Sequence, residues 1–401
     1  MQNYGCRMRL FTLSLLSIAL LSGCGGSGSE SDSGSNPGST SGGITPNRSV
    51  NETSSHALQS SDLYIAKRTI STETWGNFVH AVSYADFDQD GDTDVFINSG
   101  DSSENVTASE LYLNDGNGDF TLDESFFGGN PPGQVHARKA LTGDFNGDGA
   151  MDIFVVGHGY DREPFPGEAP YVILSGSQGY TLGTGFSDYV GFHHAAASAD
   201  LDNDGDLDIL VADNNTPAVF YNDGKGNFTK NTSVLKGLND YNWFTTELLD
   251  VDGDGYVDIL AAGHEQDGFA SQVIWGDSSG IYRSSNATVL PATPLHGTVL
   301  DIDVADLDGD GDLDIVLNRT GDRTGSVDFY QGYYLQLLIN EGGRKFKDES
   351  DMRLVTGRND GDEWFDWIRL VDFDSDGDID IVVDDASRDL VWYNDSVGNF
   401  Q

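Results

Sequence analysis

The chain has 401 residues, of which 66 are Asp or Glu and only 21 are Lys or Arg, for a formal net charge of −45. Such a polyanion has no basic stripe to neutralise phosphates, which excludes nucleic acid as a partner, and it is repelled by acidic membrane surfaces. A hydrophobic content of 37% is enough for a packed core, whereas 50 glycines call for many turns and argue against a helical protein.

The N-terminus reads as a targeting segment. Arg7 and Arg9 precede an apolar stretch, "LFTLSLLSIALL", that is too short for a comfortable membrane span. It ends in "LSGC", Leu21 to Cys24, which resembles the lipobox of bacterial lipoproteins. That resemblance implies cleavage before Cys24 and lipidation of its thiol. Gly25 follows, and in a Gram-negative cell it favours the outer membrane, with the protein periplasmic or surface-exposed. The other cysteine, Cys6, lies in the signal, so the mature chain is expected to have no disulfide. Residues 25 to about 57 are rich in Gly and Ser and form a flexible tether, about 30 Å in root-mean-square span. The expected organisation is a signal at 1–23, a lipidated cysteine and tether at 24–57, and a folded body at 58–401.

Within the body one acidic pattern recurs six times. It reads "DFDQDGDTD" from Asp86, "DFNGDGAMD" from Asp144, "DLDNDGDLD" from Asp200, "DVDGDGYVD" from Asp250, "DLDGDGDLD" from Asp306 and "DFDSDGDID" from Asp372. The spacings are 58, 56, 50, 56 and 66 residues, which marks a repeat architecture. A run of small or apolar residues leads into each loop and a β-rich run leaves it. A second apolar run, a turn rich in Asn, Asp and Gly, and a short strand follow. Four short strands per unit and no sustained helical period make the fold all-β. Units of this size suit four-stranded blades of a β-propeller. Six blades are favoured. "LYIAKRTIST" (63–72) leaves seven as the alternative, or closes the ring.

The loops have the oxygen chemistry of a hard cation, which takes six to eight ligands at about 2.3–2.6 Å. Position 1 is Asp86, Asp144, Asp200, Asp250, Asp306 and Asp372. Position 3 is Asp88, Asn146, Asp202, Asp252, Asp308 and Asp374. Position 5 is Asp90, Asp148, Asp204, Asp254, Asp310 and Asp376, and position 9 is Asp94, Asp152, Asp208, Asp258, Asp314 and Asp380. Position 6 is glycine throughout, which permits a sharp turn. Position 7 is Asp92, Ala150, Asp206, Tyr256, Asp312 and Asp378, so a shared role there falls to the backbone carbonyl. Position 12 is apolar in every copy, unlike the bidentate Glu of an EF-hand. The expectation is about six structural Ca²⁺ sites. Mg²⁺ fits less well, since it rarely accepts an all-protein cage.

From about residue 76 to the end, the arrangement resembles the FG-GAP repeats of integrin α-subunits and the related VCBS repeats of bacterial surface proteins. "GDFNGDGAMDI", from Gly143, carries the resemblance best. It implies a propeller with calcium between strands 1 and 2 of a blade. The Phe-Gly and Gly-Ala-Pro signatures are mostly missing, so only the loop carries over. The family includes both binding proteins and carbohydrate-active enzymes.

Propeller geometry then separates two faces. The acidic loops lie on one. Histidines gather on the other: His80, His136, His193, His194 and His296 at the starts of innermost strands, and His158 and His264 between strands 2 and 3. Trp243 and Phe244 join them, as do Trp364, Phe365 and Trp367 in "EWFDW". Two long loops on that face begin at Gly157, with Tyr160, and at Asn318, with Arg319, Arg323, Phe329, Tyr330, Tyr333 and Tyr334. The candidate ligand-binding residues are therefore His80, His136, His158, His193, His194, Trp243, His264, His296, Trp364 and Trp367. Lys139, Glu247, Asp301, Asp303 and Arg369 fall in innermost strands and are expected to pair near the axis or to line a wet channel.

The favoured function is a non-catalytic surface module that binds a glycan or protein partner on the face opposite the calcium loops and meets the membrane only through its lipid. A polysaccharide lyase or hydrolase is the alternative, with His136, His194, His264 and Tyr160 as candidate acids and bases. A structural subunit of an envelope complex is a third reading.

Overall fold

A computed structural model describes residues 78–100, 105–177, 179–214, 216–238, 242–383 and 390–401. The expected signal, lipidated cysteine and tether, and the candidate strands at 63–72, lie outside the described residues.

Six small antiparallel sheets follow one another along the chain and close into a ring. Blade 1 comprises Phe78–Ala85, Asp94–Gly100, Glu110–Asn114 and Phe120–Leu122. Blade 2 comprises Ala137–Gly143, Asp152–Gly157, Tyr171–Leu174 and Thr181–Leu182. Blade 3 comprises His193–Ala199, Asp208–Asp213, Ala218–Tyr221 and Thr229–Asn231, and blade 4 Trp243–Leu249, Asp258–Gly263, Gln272–Ile274 and Ala287–Val289. Blade 5 comprises Thr298–Ala305, Asp314–Thr320, Tyr333–Asn340 and Phe346–Asp348. Blade 6 has Ile368–Val371, Asp380–Val383 and Val391–Trp392, and its outer edge is made by a bridge between Asn394 and Phe400. The only α-helix among the described residues is the single turn Ser350–Arg353. The fold is a six-bladed β-propeller.

The core divides in the same way. Each blade has two faces, because successive side chains in a strand point to opposite sides. In blade 2, Ile153 and Val155 pack toward blade 1, while Phe154 and Val156 pack toward blade 3. Further apolar clusters fill the gaps between blades 3 and 4, 4 and 5, and 5 and 6. The sixth joins Tyr84, Val95, Ile97 and Tyr112 of blade 1 to Val371 and Val382 of blade 6. That cluster closes the ring by side-chain packing. Ala195, Ala196, Ala197 and Ala199 of the innermost strand of blade 3 are fully buried, as small residues crowded near an axis should be.

The innermost strands share an irregularity. In blades 1 to 5 the register with the second strand slips by one residue, at His80, Arg138, His194, Phe244 and Leu300. Each of these stands six residues before the first aspartate of its loop. A bulge re-aims the side chain it carries. Arg138 uses this to reach Asp366, six residues before the blade 6 loop, at 2.7 Å.

Three of the five axial charges form ion pairs, as expected. Lys139 of blade 2 reaches Glu247 of blade 4 at 3.0 Å and Asp301 of blade 5 at 3.8 Å. Asp301 and Asp303 accept backbone N–H bonds from Ile368 and Leu370 of blade 6, at 3.0 and 2.8 Å. Arg369 lies over the Tyr84 ring, 5.1 Å from its centroid. Burial opposes the charge on Lys139, but Glu247 and Asp301 outweigh it and hold its pKa up. Burial pushes Asp301 up to about 7, even with Lys139 beside it.

These contacts set the cost of two substitutions. Lys139→Met leaves buried carboxylates without their cation and should cost about 3–5 kcal/mol. Because Asp301 becomes neutral below about pH 7, the cost should be smaller at pH 6 than at pH 8 in urea unfolding. An equal cost at both would contradict the pairing. Gly205 has a φ of 98°, and nothing lies within 4 Å of where a Cβ would stand. Gly205→Ala should therefore cost about 1–2 kcal/mol in the same unfolding measurement, from backbone strain alone.

Candidate functional site

On one side of the ring, each acidic loop is built around two aspartates. The position 1 carboxylate accepts the N–H of the position 6 glycine, at 2.8–3.1 Å in all six loops. Those glycines have φ between 86° and 101°, which explains why no other residue occurs there. The position 9 aspartate is buried in every blade. One of its oxygens accepts the N–H of position 2, at 2.8–3.0 Å. The other accepts the N–H of a residue at the end of the third strand or one or two beyond it, at 2.7–2.9 Å. This one carboxylate therefore ties loop, second strand and third strand together. Burial raises its pKa, to about 6 for Asp94, Asp152 and Asp380 and about 7 for Asp208, Asp258 and Asp314.

Five loops gather three carboxylates whose oxygens lie within 4.8 Å of one another and could hold a metal ion. They are Asp86, Asp88 and Asp90; Asp200, Asp202 and Asp208; Asp250, Asp252 and Asp254; Asp306, Asp308 and Asp314; and Asp372, Asp374 and Asp380. That limit is no wider than the separation of two oxygens on opposite sides of an ion bound at about 2.3–2.6 Å. The blade 2 loop gathers no such group. Asn146 there turns its amide nitrogen to Asp152, at 3.3 Å, and to Ser175 O, at 3.0 Å. At position 7, a Cβ on Gly116 or Gly224 would overlap the carboxylate of Asp92 or Asp206, so those side chains face the next turn. Sequence reasoning missed position 4. Gln89, Gly147, Asn203, Gly253, Gly309 and Ser375 all have φ between 60° and 76°. The signal was there in three glycines and an asparagine, residues that tolerate this conformation.

On the other side, loops and strand starts from five blades bring aromatic rings into one chain. His136 lies 4.2 Å from His158, between ring centroids. His158 stacks on Phe192 at 4.3 Å and lies 5.0 Å from His194. His194 stacks on Phe244 at 3.7 Å, and Phe244 on His264 at 4.9 Å. The chain continues through Phe329, Tyr330 and Trp364, at 5.7, 4.5 and 4.9 Å. Phe165 joins it edge-on to Phe192 and is 45% exposed. Burial lowers the pKa of His194, helped by His158 and Arg138, and burial likewise lowers that of His264. These imidazoles are therefore neutral at neutral pH.

Other candidates are placed elsewhere. His193 is fully buried, stacked on Tyr189, with Nδ1 2.9 Å from Asp213 Oδ2. His296 is buried with Nε2 3.0 Å from Asp360. Trp243 lies wholly inside the core between blades 3 and 4. Trp367 lies beneath Arg138 and Lys139, and Phe365 lies in the core between blades 5 and 6. The second strand of blade 5 runs on to Thr320, and its third begins at Tyr333. Arg319, Tyr333 and Tyr334 are accordingly buried strand residues and not loop residues. The strand containing His80 is described, whereas its side chain lies outside the described residues. Phe192 and Arg138 were not foreseen. A fixed count of six back from each loop finds Arg138.

The family described as FG-GAP-like repeat matches residues 86–155, 200–261 and 250–317. No curated protein matches the chain. Among solved structures, a lectin from Agrocybe aegerita, described for specific recognition of non-reducing terminal N-acetylglucosamine, is 18% identical. Its TM-score is 0.52, over 82% of this chain and 80% of that one. An exo-β-1,3-galactanase from Clostridium thermocellum is 14% identical, with a TM-score of 0.40 over 81% of this chain and 80% of that one. A biofilm matrix protein of V. cholerae is 17% identical, with a TM-score of 0.39 over 74% of this chain and 42% of that one. The chain is thus a β-propeller of six antiparallel sheets that carries FG-GAP-like repeats at residues 86–155 and 200–317.

Proposed function

We propose that the protein is a calcium-stabilised recognition module that binds a glycan on its histidine- and aromatic-rich face and is held to the bacterial envelope by a lipid on Cys24. The observation that carries this reading is the chain of rings from His136 to Trp364, on the side away from the acidic loops. Exposed or half-buried rings such as Phe165, Phe329, Tyr330 and Trp364 can stack on sugar faces, and neutral imidazoles behind them can exchange hydrogen bonds with hydroxyls. A propeller of the same fold, the Agrocybe lectin, is described as recognising N-acetylglucosamine, which supports a sugar over a protein as ligand. On a glycan array, Phe165→Ala combined with Trp364→Ala should weaken binding about tenfold or more with little change in melting temperature. Undiminished binding would contradict the assignment of this face.

Calcium suits the loops by donor chemistry. The groups are all-oxygen and several-fold anionic. The pKa shifts give the sign of the pH dependence. A raised carboxylate pKa means stability present below about pH 4 and lost as pH rises through 6 to 7. In EDTA these six buried aspartates should therefore lower the melting temperature between pH 5 and pH 8. Ca²⁺ binds the ionised form, so its stabilising effect should be larger at pH 8. Thermal unfolding with and without Ca²⁺ at both pH values checks this, and an equal or absent calcium effect would contradict it.

A polysaccharide lyase is the second reading, favoured by one observation. His194 and His264 are held neutral, as a general base must be, and Tyr160 is 36% exposed on the neighbouring loop. Incubation with uronic-acid polymers, followed by ultraviolet absorbance of unsaturated product, separates the two.

A further inference from the structure

The turn between the third and fourth strands of a blade leans on the acidic loop of the blade before it. The side-chain amide of Asn222 donates to Phe145 O, and that of Asn394 to Leu307 O, both at 2.8 Å. Four of these turns carry glycine two residues before a closing aromatic, at Gly118, Gly226, Gly280 and Gly398, with φ between 61° and 85°. Blade 5 carries Arg344 at that place, with φ 65°. A long L-side chain is disfavoured there, and such strain persists where surrounding contacts compensate it.

Arg344 has such contacts. Its guanidinium rests over Trp275, 4.6 Å from the ring centroid. Its Nε is 2.5 Å from Asp252 Oδ2, and its Nη2 is 3.3 Å from Asp254 Oδ2. Asp252 and Asp254 are two of the three carboxylates gathered in the blade 4 loop. Their Oδ1 atoms accept backbone N–H bonds within the loop, at 3.2 and 3.0 Å. The guanidinium therefore takes the remaining oxygen of each, so positive charge already sits on two of the three carboxylates gathered in that loop.

We propose that Arg344 is the resident cation of the blade 4 loop. It neutralises the carboxylates, pins blade 5 to blade 4 and competes with Ca²⁺, so that this loop fills only at higher calcium than the loops of blades 1, 3 and 6. The competition rests on the reading that these loops take calcium. The pinning does not, because it is present without metal.

Arg344→Gly installs the residue that four other blades carry, so the turn itself is retained. In EDTA the variant should melt about 2–4 °C below wild type, because the loop loses the guanidinium that bridges Asp252 and Asp254. Titration calorimetry with CaCl₂ should then count one more equivalent than wild type below millimolar calcium, and the melting order should reverse when calcium is saturating. Melting in EDTA at or above wild type would overturn the resident-cation assignment. An unchanged number of equivalents would overturn the competition. Should neither protein bind Ca²⁺, the calcium reading fails, while the comparison in EDTA still decides the role of Arg344.

Discussion

Each blade depends on one buried carboxylate. The ninth residue of every acidic loop sits at the start of the second strand, out of water, and receives one N–H from the loop and one from the end of the third strand. A single side chain thus joins the loop, the second strand and the third strand. A buried carboxylate with neutral donors carries a desolvation cost, and this shows in its raised pKa. The carboxylates beside it raise that cost further. A hard cation changes the sign of the whole arrangement, because it favours the ionised form of every aspartate at once.

The same innermost strand then carries both faces. It leaves the acidic loop at one end and reaches the axial bulge six residues earlier at the other. Fixing the loop therefore fixes the height and direction of Arg138, His194 and Phe244. Between the two ends, Lys139, Glu247, Asp301 and Asp303 join blades 2, 4, 5 and 6 across the axis. The ring is closed by packing at its periphery and by charge near its centre.

Much of this was legible in the sequence, and the boundary of legibility has a physical cause. The loops were readable because each position answers to a backbone need: position 6 requires a positive φ, and position 9 requires a buried acceptor. Position 4 shares the left-handed backbone, but Gln89, Asn203 and Ser375 hide it behind unlike side chains. The bulge was illegible for a stronger reason. No residue type is demanded there, and His, Arg, Phe and Leu all occur. Sequence placed the histidines and tryptophans at the correct end of the strands, whereas the side to which each points depends on the phase of alternation. The bulge resets that phase. Hence His194 joins the ring chain while its neighbour His193 turns into the core, and Phe244 joins it while Trp243 does not. Arg344 was invisible for a similar reason, since its partner loop lies 90 residues away in another blade.

The claim on which the account turns is that the acidic loops bind calcium. Metal analysis by mass spectrometry, after equilibrium dialysis of the chain against millimolar CaCl₂ and MgCl₂ together, tests it directly. The account predicts at least three equivalents of calcium per chain, one for each carboxylate group outside the arginine-paired loops of blades 4 and 5, with magnesium largely excluded. Less than one equivalent of calcium, or magnesium in its place, would contradict it.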